Sequence, residues 1–239
     1  MKKIIFGSMS EYYLETPELH PIPIKDYKMD WYKNMPRPKE TPFHFDAMNI
    51  SKNVKACPSF TDIFENGFVV LAPTDYFIHY LENGDFVGTQ AFSFRDSLGI
   101  DDIQYHFNGQ LIQHLPKHSP YKLIVKINLP LKVFTPDGYS LSFMRMPFSD
   151  HTDFEAIYGN LRADKIHHLS IQCGIKHNKQ ILIKQGTPLA LLVPFKREKF
   201  KHKVIDINKP SKYRSKWVKK YLSTYGSWQT KYKSYYWSD

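Results

Sequence analysis

The sequence predicts a mainly β protein: a single sandwich, jelly-roll or β-clip domain with an extended Pro-rich N-terminal arm and a C-terminal amphipathic helix. Three observations carry this. Short apolar runs recur from residue 68 to residue 194, separated by turn residues at regular spacing. Six prolines (Pro17, Pro21, Pro23, Pro36, Pro38, Pro42) punctuate the first part of the chain and preclude long helices there. Near the end, Trp217, Tyr221, Tyr225, Trp228, Tyr232 and Tyr235 follow one another at spacings of 4, 4, 3, 4 and 3, which lines them on one helical face.

Taken in order, residues 1–56 read as the arm. Tyr12, Tyr13, Tyr27, Trp31, Tyr32, Phe43 and Phe45 lie between the prolines, so the arm is expected to pack on the body or on a neighbouring subunit. Its first residues, Met1 to Gly7, begin like a signal peptide, but the apolar run is too short and Glu11 follows soon after. A short helix is expected at 30–34, stopped before Pro36.

Residues 57–197 read as the β-rich core. A helix over 59–66 ends at Gly67, and strands follow at 68–73 and 76–81. Asn83-Gly84 marks a hairpin leading into 85–88. Further strands are expected at 122–128, at 131–134 after Pro130, and at about 139–145, 153–158, 166–172, 179–184 and 188–194. The densest apolar stretch is Leu189-Ala190-Leu191-Leu192-Val193, after the Gly186-Thr187-Pro188 turn. Residues 198–239 form the third part, with helix expected over 212–237 and weakened at Gly226.

The 239 residues are 42% hydrophobic and 15% aromatic, enough for a sizeable core and too apolar for global disorder. The net charge of +10 is unevenly placed: residues 196–239 carry 13 Lys and Arg against 3 Asp and Glu, whereas residues 1–195 carry 20 of each. A neutral body with a basic tail points to an anionic partner for the tail. Cys57 and Cys173 have no partner at metal-ligand spacing and read as reduced, buried thiols of a cytoplasmic protein. No run of about 18 apolar residues is present, so no transmembrane helix is expected.

Three segments carry a resemblance: Ala56-Cys57-Pro58 with Asn66-Gly67-Phe68, Thr135-Pro136-Asp137-Gly138-Tyr139-Ser140, and Gly186-Thr187-Pro188-Leu189-Ala190 with Pro194-Phe195-Lys196-Arg197. Together they resemble an uncharacterised family of phage-encoded and bacterial β-rich proteins. The resemblance implies a fold and a viral origin, hence host cytoplasm or virion, but no reaction. A weaker dUTPase-like pattern covers about 135–194. There Pro136-Asp137-Gly138-Tyr139 leads a strand, Gly159 to Lys165 occupies the hairpin, and Gly186 to Leu192 forms the turn and strand. Where that family has its water-activating Asp this chain has Arg162, and Lys165 stands for its base-stacking Tyr. Arginine cannot act as a general base at neutral pH, so the resemblance implies the fold without its catalytic residues.

Other chemistry is sparse. His44-Phe45-Asp46 with His151 has the composition of a facial Fe(II) triad, and Arg162 is spaced from His151 as an anchor for the 2-oxoglutarate carboxylate would be. This defines an alternative, a cupin-like oxygenase using Fe(II) and 2-oxoglutarate; outside it no cofactor is expected. His167-His168 lie on a strand and face opposite sides. Gly-x-Ser-x-Gly and phosphate-cradling Gly-rich loops are absent, and Asp101-Asp102 reads as a surface acidic pair. The tail is the best contact surface. Trp217, Tyr221, Tyr225, Trp228 and Tyr232, with Lys219, Lys220 and Lys231, either pack against protein or meet nucleic acid through phosphate contacts and base stacking. The leading expectation is a non-enzymatic phage-type structural or interaction protein, self-associating through arm and tail helix. A degenerate dUTPase-like nucleotide-binding protein is the other alternative.

Overall fold

A computed structural model describes residues 2–27, 29–35, 63–81, 86–106, 110–147, 149, 153–176 and 180–225. Its contacts divide the chain into two units, Met1–Arg197 and Glu198–Asp239.

The first unit is built from three antiparallel sheets, as the alternation of short apolar runs and turns requires. The first sheet orders β1 (Ile5–Gly7), β7 (Leu123–Phe134), β11 (His168–Ile175) and β9 (Phe154–Ala156), with β6 (Ile103–Tyr105) also pairing β7. The second orders β10 (Gly159–Leu161), β8 (Tyr139–Met144), β13 (Pro188–Lys196), β3 (Phe68–Leu71) and β2 (Ile22–Pro23). The third orders β12 (Ile181–Ile183), β4 (Tyr76–Tyr80) and β5 (Phe86–Gln90). Short helices α1 (Glu11–Leu14), α2 (Asp30–Asn34) and α3 (Arg95–Leu98) sit between strands.

All three sheets contribute to the main core. Val70, Tyr76, Ile78, Val125, Ile127, Leu141, Ile171, Cys173, Ile183 and Leu192 are among its members. The opposite face of the second sheet is also covered. Val69, Leu71 and Leu191 pack there with Ile24, Met29 and Phe64, joined by Trp31 and Tyr32. That explains the unbroken apolar run in β13. Ala190 and Leu192 face one core and Leu191 the other, so no position on that stretch is solvated. It also gives Tyr27, Trp31 and Tyr32 of the arm their place, with Tyr32 stacked on Phe64 at 4.6 Å between ring centroids.

Three expectations change. The runs at 122–128 and 131–134 are one twelve-residue strand, β7, that continues through Pro130. Its register with β11 passes from Asn128 opposite Ser170 to Lys132 opposite His168, so β7 carries two extra residues between these pairs. Pro130 falls in this bulge, where its missing N–H removes nothing from the ladder. The first residues, read by sequence only as a failed leader, form β1, with Phe6 opposite Val133. Asp102 is 1% exposed rather than a surface acid: its Oδ1 accepts from Phe94 N at 2.8 Å, and its Oδ2 from Ser93 Oγ at 2.7 Å and Gln90 Nε2 at 3.2 Å.

Gly174 marks a close approach. A Cβ built there would lie 2.5 Å from Tyr121 Cδ1, so the Tyr121 ring lies across bare backbone. Tyr121 OH then donates to Glu155 Oε1 at 2.6 Å, and Lys176 Nζ donates to Glu155 Oε2 at 2.9 Å. Burial and the Glu155 contact push the Tyr121 hydroxyl up to about 12. Burial pushes Glu155 upward too, but the Tyr121 and Lys176 hydrogen bonds outweigh it and hold the carboxylate below its ordinary value.

In the second unit, α4 (Lys212–Tyr225) begins after Pro210; Ser211 Oγ accepts from Arg214 N at 3.1 Å, the hydrogen bond of an N-cap. The expectation of helix to residue 237 lies outside the described residues beyond Tyr225. Among the described residues, no helix is long and apolar enough to cross a membrane.

Candidate functional site

The stretch with the dUTPase-like pattern folds around one carboxylate. The turn Thr135–Tyr139 enters β8 with Gly138 at φ 79°, a left-handed conformation that suits glycine. β10 returns antiparallel to β8, with Asn160 opposite Ser142. The chain then turns through Arg162–Ile166, with Lys165 N and Ile166 N both donating to Arg162 O at 2.8 Å. That turn aims Asp164 back at the Gly138 loop and at the end of β13.

Asp164 is enclosed there, its side chain 1% exposed. Its Oδ2 accepts from Gly138 N at 3.0 Å and from one Arg197 guanidinium nitrogen, while its Oδ1 accepts from the other at 2.8 Å. The same guanidinium donates to Tyr139 O and Ser140 Oγ, each at 2.8 Å, and Arg197 N donates to Gly138 O at 2.8 Å. Three segments far apart in sequence are thus knotted by one bidentate pair. The Arg197 hydrogen bonds, helped by the Gly138 N–H against partial desolvation, hold the Asp164 carboxyl well below the usual carboxylate range. A carboxylate so fully committed to donors is a poor base, because protonating it breaks the knot.

Around this knot the other expected residues are placed as follows. Arg162 is exposed on the turn, at the position where the dUTPase-like pattern would have its water-activating Asp. Lys165 pairs with Asp137 at 4.0 Å on the surface. His44, Asp46 and His151 of the Fe(II) alternative lie outside the described residues, and among the described residues no three His, Cys, Asp or Glu groups are placed to hold a metal. In the tail, Trp217 and Lys219 are exposed on α4, with Trp217 at 52%. Lys220, Tyr221 and Tyr225 fall within the bounds of that helix, and Trp228, Lys231 and Tyr232 lie outside the described residues.

Sequence reasoning did not find the Asp164–Arg197 pair. Both residues stood in the quoted motifs, but 33 positions separate them and only the folded β8–β10–β13 layer joins them. Cys173 is fully enclosed in the core, and burial pushes its thiol up to about 12, as befits a packing residue.

No protein-family model matches the chain, and no curated protein does. Among solved structures, the chain is similar to a mutant dUTPase from phage phi11 of S. aureus, whose structure is described as showing the coordination of a structural Mg(II) ion. The identity is 11% and the TM-score 0.37, over 85% of this chain and 97% of that one.

Proposed function

We propose that this is a non-enzymatic interaction protein of phage type, in which the β body is a scaffold and the tail holds a polyanion, nucleic acid being the polymer that fits. One observation carries the reading: the structural boundary and the charge boundary coincide. The body closes at Arg197, and the unit that follows, 198–239, carries 11 Lys and Arg against 3 Asp and Glu. Excess positive charge on one segment is what phosphate contacts require, and the exposed Trp217 adds a face for stacking. The body is read as scaffold because Asp164, an enclosed carboxylate of the dUTPase-like segment, is already held by Arg197 and Gly138.

Fluorescence anisotropy of the full chain with labelled DNA tests this. Binding is expected to weaken as salt rises and to drop on Lys219→Gln with Lys220→Gln. No binding at low salt, or binding untouched by those changes, overturns the reading. The protein is also expected to release no pyrophosphate from dUTP. A melting transition raised by dUTP would instead support the nucleotide-binding alternative. Self-association through arm and tail belongs to the same proposal; a monomer mass by light scattering on the full chain would remove it.

A further inference from the structure

One face of the first sheet carries cationic and polar groups that the proposed tail contact does not use. Register places them together. Lys126 lies opposite Gln172 on one side and Gln104 on the other, Asn128 opposite Ser170, and Lys132 opposite His168 and Gly7. Residues two apart on a strand share a face, and the two extra residues of the β7 bulge preserve that parity.

A hydrogen-bond relay holds the row in place. Lys132 Nζ donates to His168 Nδ1 at 3.2 Å, since an ammonium only donates. His168 is therefore neutral and donates through Nε2 to Asn128 Oδ1 at 3.3 Å, which also accepts from Ser170 Oγ at 2.7 Å. Asn128, fully buried, donates through Nδ2 to Asp101 O at 2.7 Å. Burial, then the charges of Lys132 and Lys126, lower the His168 pKa, in keeping with a neutral ring. The Lys132 ammonium is thus fixed by a buried network and keeps donors to spare.

Two further features point to what sits there. Among the described residues, neither Lys126 nor Lys132 pairs with a carboxylate, and Asp102, which leads into β6, is committed to Gln90, Ser93 and Phe94. Beside Lys132 the same face carries Phe134, 41% exposed, opposite Ile5 at 59%. The Phe134 ring lies 4.3 Å from the His167 ring. Opposite Lys132, the space above Gly7 is open, since an added Cβ would meet nothing within 4 Å.

We infer that this face binds a short stretch of single-stranded nucleic acid, with phosphates over Lys126 and Lys132 and a base against Phe134. It rests on the polyanion reading of the tail and deepens it, by naming a second contact and the single strand as the form bound. The two lysines are spaced by about four strand residues, roughly 13 Å, too far for one phosphate and suited to two phosphates about two nucleotides apart on one strand. An acidic peptide would satisfy the lysines but has no use for the aromatic.

The test is anisotropy on the full chain with a labelled twelve-nucleotide oligothymidine, the matching duplex, and a polyglutamate peptide. Phe134→Leu is expected to weaken the single strand about tenfold and leave the duplex unchanged. Lys126→Gln with Lys132→Gln is expected to lower the salt slope for the single strand by about 1.4. If these variants melt early, ultraviolet crosslinking of oligothymidine to the unmodified protein replaces them, and crosslinked peptides from β7 are expected. Loss of binding in Lys219→Gln with Lys220→Gln alone, with no β7 crosslink, overturns this inference and leaves the tail reading standing. Loss in the face variants alone keeps this site and overturns the tail. Polyglutamate binding that falls equally in the face variants assigns the face to an acidic protein and overturns the nucleic-acid inference. No binding of any probe overturns both.

Discussion

Replacing Gly174 with alanine tests how the first sheet is closed at one end. The new methyl carbon would stand 2.5, 2.6 and 3.0 Å from three atoms of the Tyr121 ring. Carbon atoms rest at about 3.5–4.0 Å, so the ring must lift by about 1 Å or swing away. Either motion strains the 2.6 Å hydrogen bond from Tyr121 OH to Glu155, which is worth about 1.5–3 kcal/mol because its acceptor is charged; its partial exposure places it at the lower end. Overpacking adds about 1–3 kcal/mol. The sum is about 2.5–4.5 kcal/mol, which for a unit of this size lowers Tm by roughly 5–18 °C. Urea denaturation of Gly174→Ala, Tyr121→Ala and the double variant measures it. The double variant is expected to be less destabilised than the two single changes added together, since the methyl then has room. A Gly174→Ala cost under about 1 kcal/mol, or strict additivity in the cycle, would refute the account of Tyr121 as a ring seated on bare backbone.

Three other outcomes follow from contacts already described. Asp164 has its folded pKa depressed, so its contribution is fully present above the unfolded value of about 3.9 and fades as pH falls toward the folded one; Asp164→Asn is expected to be destabilised at pH 7 and to lose less than the parent between pH 4 and pH 2, and a pH-independent gap in urea titrations would contradict this. Asn128→Ala leaves Ser170 Oγ and Asp101 O without their partner and is expected to cost about 2–4 kcal/mol, read as a lower denaturation midpoint. Cys173, buried with its thiol raised, is expected to resist iodoacetamide at pH 8 until the chain unfolds; fast labelling of its peptide in native buffer, followed by mass spectrometry, would show the core to be open.

Legibility in the sequence followed the range of the interactions. β13 and β8 were visible because local patterning encodes them: a turn residue, then an apolar run of strand length. The continuity of β7 through Pro130 was not, because proline reads as a strand end and only the partner β11 reveals the bulge that accommodates it. Tyr27, Trp31 and Tyr32 of the arm announced that something would cover them, but not that the cover is the outer face of β3 and β13. Of the sites, the tail's charge was plain from composition. The Asp164–Arg197 pair and the Lys132–His168–Asn128 relay were hidden, since each joins residues more than thirty positions apart whose meeting depends on register. Register is set by the hydrophobic pattern of both strands together, and a single strand read alone does not contain it.

The knot at Arg197 also has a mechanical meaning. β13 runs between β8 and β3, antiparallel to both, and the tail departs from its C-terminal end. A load that pulls on Arg197 along the axis of that strand would enter the body there. Its ladders on both sides would then be strained in shear, all bonds together, instead of being opened one at a time. Arg197 sits at the point where the load enters, tied to Asp164, Tyr139, Ser140 and Gly138. Arg197 is therefore a cleat at the end of a strand paired on both sides, and such a pull would meet two ladders at once before it met any edge strand.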